Sequence, residues 1–286
     1  MIKKLATLLI FATLLGGCNT QSEGDSKKTI YVTIAPLRAI VEEVTGGDYN
    51  VEILVPKGAS PETFEPTAKQ LMALNNAEQI FSVGLINFEQ SLVGSVKESE
   101  RLVNLSKGVE LLEGSCSHCG HHHAHGIDPH IWTSPRALKR MVENIGEAMH
   151  RIAPDSVKYC ENRDKLLHKL DMLDSLCSNN INAKRVDAIM IYHPAFTYYA
   201  HDYSIEQIAV EQDGKEPSPK QLTALVERAR EHHITKILIQ PQYSKDKLRA
   251  LALECGADIV EVDPLSEDIV AEIERVTTII CGNDEQ

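Results

Sequence analysis

The stretch CSHCGHHHAHGIDPHIW, residues 116–132, holds six of the chain's twelve histidines and two of its seven cysteines. Imidazole and thiolate are the donors that borderline divalent ions such as zinc prefer, so this stretch binds metal whatever fold surrounds it. Two kinds of ligand have to be separated within it. Cys116, His118, Cys119, His121, His122, His123 and His125 lie among Gly114, Gly120 and Gly126 with no apolar periodicity, the pattern of a surface loop. A loop that must order itself around an ion subtracts that entropy from its affinity. These seven residues therefore read as an auxiliary, weaker collector or sensor. His130, in GIDPHIW, lies beyond the run on a segment leading into a helix, and it reads as a ligand of a tighter site.

In open α/β sheets, ligands bind beyond the carboxyl ends of the strands. Glu62 lies in the loop after VEILVP, His193 directly follows VDAIMIY, Gln240 follows ITKILI, and Asp263 follows ADIVEV. With His130 this gives two imidazoles and two carboxylates able to converge in a cleft, His130 and Glu62 from one half of the chain, His193 and Asp263 from the other. Two nitrogens and two carboxylates suit zinc first, with manganese or iron gaining as oxygen donors dominate.

The elements that must position these residues alternate. Strands are expected at TIYVTIAP and YNVEILVP, then a helix and strand in TAKQLMALNNAEQIFSVG, then a short strand at RLVNLS. SPRALKRMVENIGEAMHRIAP reads as a helix with Ser134 as N-cap, Pro135 in its first turn and Pro154 as its stop. DSVKYCENRDKLLHKLDMLDSLCSN is the longest helical pattern. Beyond it, RVDAIMIYHP, ITKILIQPQ and ADIVEVDP read as strands separated by helices, with a closing helix in SEDIVAEIERVTTIICG. Such alternation means parallel sheets and an α/β fold of two lobes joined by one long helix. The expected divisions are 29–154 for the first lobe, 155–179 for the linking helix and 180–286 for the second.

The N-terminus has a different character. Lys3 and Lys4 precede an apolar run from Leu5 to Leu15, too short to span a bilayer, and Gly16-Gly17-Cys18 follow. Residues 1–17 read as a signal peptide. Leu15-Gly16-Gly17-Cys18 resembles a bacterial lipobox, which implies a diacylated Cys18 and a polar tether over 18–28. The formal charge of −12 disfavours nucleic acid as a partner. Six cysteines remain after Cys18, and in an exported chain they could pair in fifteen ways. Cys160 and Cys177 would lie about 25 Å apart on one helix, too far to bridge. Cys116 and Cys119 could close a small loop or bind zinc.

LVPKGASPETFEPT, DPHIW, HPAFTYYAHDY, EPSPKQL, IQPQYS and VDPL occur in that order. They resemble the landmarks of the metal-binding lipoproteins of bacterial ABC zinc and manganese importers, the ZnuA/TroA type, across the whole chain from about Thr29 to Cys281. The resemblance implies a rigid backbone helix between the lobes and His130, His193 and Asp263 as ligands. It also implies Zn(II) as the transported ion, with Mn(II) as the alternative cargo. The implied partners are a membrane permease and, through the lipid, the membrane; a monomer in the cell envelope is expected. Relatives place histidine where this chain has Glu62, so the site is either Glu-His-His-Asp or a three-ligand site completed by water. A histidine- and acid-rich loop occurs in zinc-type relatives at the place of the 116–125 run. Zinc-type relatives can carry a disulfide in the second lobe, where Cys255 and Cys281 are the better-placed pair. The sequence has no G-x-S-x-G, Walker, dinucleotide or H-E-x-x-H pattern, so no enzyme is expected; a metallohydrolase and a metal-dependent adhesin are the competing classes.

Overall fold

The computed structural model describes residues 27–114, 126–211 and 215–282. The expected signal peptide 1–17, Cys18 and the histidine-rich residues Cys116, His118, Cys119, His121, His122, His123 and His125 lie outside the described residues.

Two four-stranded parallel sheets form the frame. The first contains β1 (Thr29–Val32), β2 (Asn50–Ile53), β3 (Gln79–Ser82) and β4 (Leu102–Asn104) in the order β2-β1-β3-β4. The second contains β5 (Ala188–Ile191), β6 (Glu206–Ala209), β7 (Lys236–Ile239) and β8 (Asp258–Glu261) in the order β6-β5-β7-β8. Every pairing is parallel, so each connection is a crossover, and the helices α1 (Pro36–Thr45), α2 (Ala68–Leu74), α3 (Asn87–Val93), α4 (Pro135–Ile152), α5 (Val157–Lys184), α6 (Thr197–Asp202), α7 (Pro219–Glu231), α8 (Arg249–Cys255) and α9 (Ile269–Ile280) cover the sheets. In both sheets the chain order reverses beside the first strand. That places crevices at the carboxyl ends of β1 and β3 and of β5 and β7.

The linking helix is where the expectation and the fold differ in length. α5 buries Tyr159, Leu166, Leu170, Leu173, Cys177 and Ile181 on one stripe at helical spacing, and it packs on α1, α4 and α9. It continues to Lys184 and ends where Arg185 adopts a left-handed conformation at φ 54°. One hydrophobic core runs along this stripe. It joins Ile30, Leu37 and Phe81 of the first lobe to Ile191, Leu238 and Ile273 of the second.

α1, α3, α6 and β6 are absent from the sequence reading. α3 and α6 span less than two helical turns, too short for a 3.6-residue repeat to declare itself. β6, Glu-Gln-Ile-Ala, opens on two polar residues of low strand propensity and is only four residues long. α4 matches its expected signals: Ser134 Oγ accepts the Ala137 N–H at 3.0 Å, with Pro135 in the first turn.

The expected Cys255–Cys281 pair is not formed; both thiols are free. The alternation of β5 explains why. Ile189 and Ile191 face α5 and α9, while Ala188 and Met190 face the opposite side with Leu248 and Leu251. Cys281 is buried in the first of these layers and Cys255 leans on the second, so the sheet stands between them.

A continuous core predicts that the lobes unfold together. Leu170→Ala on α5 should lower the unfolding free energy by about 2–5 kcal/mol and move one cooperative denaturant transition. Two separated transitions, with only one displaced, would show that the lobes are independent.

Candidate metal centre

Glu62 belongs to the loop between β2 and α2. Pro56, Pro61 and Pro66 keep that loop from continuing either element, and Gly58 turns it at φ 83°. Its base is closed by the α2 capping box: the Thr67 hydroxyl accepts the Gln70 N–H, and Gln70 Nε2 donates to Leu54 O at 3.0 Å. The Glu62 side chain is 45% exposed, and its Oε1 lies 3.1 Å from His193 Nε2.

His130 stands at the start of a 3-10 turn, Ile131–Thr133, that feeds α4. The chain reaches it through a narrow stem: Gly114 N–H donates to Gly126 O, Glu113 and Ile127 form an antiparallel bridge, and Asp128 N–H donates to Leu112 O. The two strands of this stem, ending at Gly114 and Gly126, lie next to the site. Asp128 is buried, and its Oδ1 lies 2.8 Å from both the His130 backbone nitrogen and the ring Nδ1. Burial alone would raise the Asp128 pKa, but the attraction of His130 outweighs it and holds the carboxyl below the usual range.

His193 follows β5, and Gln240 follows β7, on the two sides of the second sheet's crevice. Gln240 Oε1 accepts the His193 N–H at 3.3 Å and Gln240 Nε2 donates to His193 O at 2.6 Å, clamping the backbone of the ligand. Glu211, at the exit of β6, lies 2.6 Å from His193 Nδ1. Burial would lower the His193 pKa, but Glu211 and Glu62 both accept from the ring and raise it to about 9. The bond from His193 holds the Glu62 carboxyl below its ordinary range.

Glu62, His130 and His193 bring one donor atom each to within 4.8 Å of one another. The two imidazoles meet edge to face with centroids 5.3 Å apart. Tetrahedral zinc with bonds of about 2.0–2.1 Å requires donors about 3.3 Å apart, so small side-chain adjustments close the set around one ion. The adjoining cavity of about 40 Å³ is walled by Ile86, Trp132, Ala195, Pro264 and Leu265.

Asp263 does not join this group. It lines a neighbouring cavity of about 280 Å³ with Lys57 and Ser266, which shares Pro61, Gln242 and Leu265 with the cavity at the imidazoles. Its Oδ1 accepts the Leu265 N–H at 3.0 Å, and its own N–H donates to Glu272 Oε1. Burial lifts its carboxyl above the usual range.

The family described as "Zinc-uptake complex component A periplasmic" matches residues 30–275. The chain belongs to this family. Among its relatives is the zinc-binding lipoprotein AdcA of Streptococcus pneumoniae, 28% identical over 92% of this chain and 56% of AdcA, so the chain spans about half of that relative's length. The high-affinity zinc uptake system protein ZnuA of Bacillus subtilis is 28% identical over 90% of this chain and 87% of its own. A crystal structure of ZnuA superposes with a TM-score of 0.80 at 30% identity, covering 89% of this chain and 98% of that one. A zinc-bound ZnuA deletion mutant gives 0.79 at 30% identity, covering 91% and 99%.

Within the family frame, Glu211 is the residue that sequence reasoning missed. It lies at a strand exit, but the short, polar-headed sequence of β6 does not declare that strand. Asp128 stood in the quoted DPHIW motif without a role of its own.

A doubly hydrogen-bonded His193 carries protons on both ring nitrogens, and a metal must displace the one on Nε2. Because its pKa is raised to about 9, zinc binding at pH 7.5 should release about one proton, and affinity should climb about tenfold per pH unit up to that pKa. Zinc titrations in buffers of different ionisation enthalpy count the proton; a count of zero contradicts the imidazolium.

Proposed function

We propose that the protein is an exported zinc-binding component that captures Zn(II) between its lobes and delivers it to an ABC importer in the membrane. The observation that carries this reading is the convergence of Glu62, His130 and His193 on one point, with a carboxylate behind each imidazole. That donor set has the charge and nitrogen content zinc prefers. The second sphere fixes the ring orientations that a tight site requires. Family membership supports the same cargo.

We take Glu62, His130 and His193 as three ligands with water in the fourth position, because Asp263 lines the adjoining cavity. Membership of a zinc-uptake family favours ion capture over hydrolysis. Among the described residues no helix is long and apolar enough to cross a membrane. Attachment then falls to Cys18, lipidated after removal of residues 1–17, and the monomer would work tethered beside its permease. Residues 116–125 act as a lower-affinity collector.

The test is competition of each variant with a zinc chelator. His130→Ala and His193→Ala should lose more than the roughly 10–100-fold that removal of outer-sphere partners costs. Glu62→Ala should weaken binding without abolishing it, and Asp263→Ala should bind close to wild type. A large loss in Asp263→Ala would return that residue to the ion. Strains lacking the protein should grow poorly in zinc-depleted medium and recover with added zinc; adhesion without a growth defect would point to the adhesin class.

A second expectation concerns the histidine-rich run. Deleting residues 116–125 should lower the number of bound zinc ions while leaving one tight ion by titration. If no high-affinity ion remains, the run itself is the site.

A further inference from the structure

His130 comes from the first lobe, yet the group that fixes its ring is itself held by the second. Asp128 Oδ2 accepts the Thr197 hydroxyl at 2.6 Å, and Asp128 O accepts the Tyr198 hydroxyl at 2.8 Å. Both partners sit on α6. Behind Thr197 stands Gln207 of β6, whose Nε2 donates to the Thr197 oxygen at 3.0 Å and whose Oε1 accepts the Phe196 N–H at 2.7 Å. Gln207 is buried.

The sense of each bond in this chain is determined. A backbone N–H can only donate, so the Gln207 oxygen must face Phe196 and its amide nitrogen must face Thr197. A hydroxyl that already accepts from that amide has its proton free for Asp128, which as a carboxylate only accepts. One Asp128 oxygen is thereby occupied by Thr197, and the other is left to the His130 backbone N–H and ring Nδ1–H. With Nδ1 carrying the proton, Nε2 holds the lone pair, and that is the nitrogen available to an ion beside Glu62 and His193.

We propose that Thr197 is a positioning residue for metal binding, through which Gln207 and α6 of the second lobe fix the ring orientation and tautomer of His130 in the first. Removing its hydroxyl leaves a buried carboxylate oxygen without its donor. The Asp128 carboxylate can then turn toward other donors, and the hold on His130 Nδ1 loosens. The inference rests on the zinc-site reading above. A wild-type protein that bound no zinc would sink that reading, whereas the comparison of variants tests Thr197 alone.

The experiment uses the full chain as wild type, Thr197→Val and Thr197→Ser. Valine keeps the shape and removes the hydroxyl; serine restores it. Zinc affinity by chelator competition should fall about tenfold in Thr197→Val, at the low end of what outer-sphere partners contribute, and return to within about twofold of wild type in Thr197→Ser. In the metal-free protein, the His130 ring-nitrogen signals in long-range proton–nitrogen spectra should report Nδ1–H in wild type and Thr197→Ser. In Thr197→Val they should shift toward exchange between the two tautomers. Should valine unfold the protein, Thr197→Ala is read against the same serine variant. Wild-type affinity in the hydroxyl-free variant overturns the proposal. So does a serine variant as weak as valine, or an affinity loss with His130 signals unchanged.

Discussion

A carboxylate at Nδ1 of each imidazole is the constraint on which the rest of the site depends. An imidazole is a usable ligand only when one nitrogen is free of its proton and aimed at the ion, and a free ring in a loop satisfies neither condition. Asp128 and Glu211 supply the aim by occupying the inner nitrogen of His130 and His193, and on His193 the outer proton leaves when the ion binds. Burying these carboxylates is costly unless each is paired and further hydrogen-bonded. Asp128 meets that requirement with one backbone N–H, the His130 ring and a hydroxyl. The positions of α6 and β6 follow from this need as much as from packing.

That need also explains why the two lobes are sewn together near the cleft. The Trp132 indole donates to Pro264 O at 2.7 Å, placing the segment after His130 against the segment after β8. Ser134, the cap of α4, donates to Asp202 at the end of α6, and Arg136 lies over the Tyr203 ring at 5.5 Å. The Leu112 N–H reaches the Tyr198 hydroxyl, which in turn donates to Asp128 O. With the continuous core along α5, these contacts make α6 a shared element rather than part of one lobe. A ligand from each lobe can then be held at fixed separation without a flexible hinge between them.

What the sequence made legible was the frame and the ligand types. Parallel α/β lobes followed from alternation, and His193 and Gln240 were visible because dense β-branched strands end directly before them. Gln240 was visible as a position but not as a function, since clamping a neighbouring backbone leaves no signature of its own. Glu211 was hidden because β6 is short and opens on glutamate and glutamine, and its partner geometry arises only when β6 pairs with β5. Asp263 illustrates the converse. Its strand exit was read correctly, but Leu265 and Glu272 turn its loop so that the residue lines the second cavity. Cys255 and Cys281 share a lobe in sequence, while the alternation of the sheet separates them in space.

The three candidate ligands are not equivalent, and the asymmetry bears on capture. His130 is buried and His193 partly buried, and each is pinned from behind, whereas Glu62 is half exposed on a loop with prolines and a left-handed glycine. Glu62, Asp128 and Glu211 bring three negative charges to a site where, without metal, the His193 imidazolium supplies the offsetting positive charge at neutral pH. A divalent ion replaces that proton with a larger charge at nearly the same place. The exchange moves the local sum from about −2 to about −1 and brings the ion close to all three ligands. A monovalent ion replacing the proton would leave the sum unchanged while breaking the His193–Glu62 bond. The same carboxylates that aim the imidazoles therefore also discriminate by charge, since only an ion of charge two or more improves on the proton it displaces.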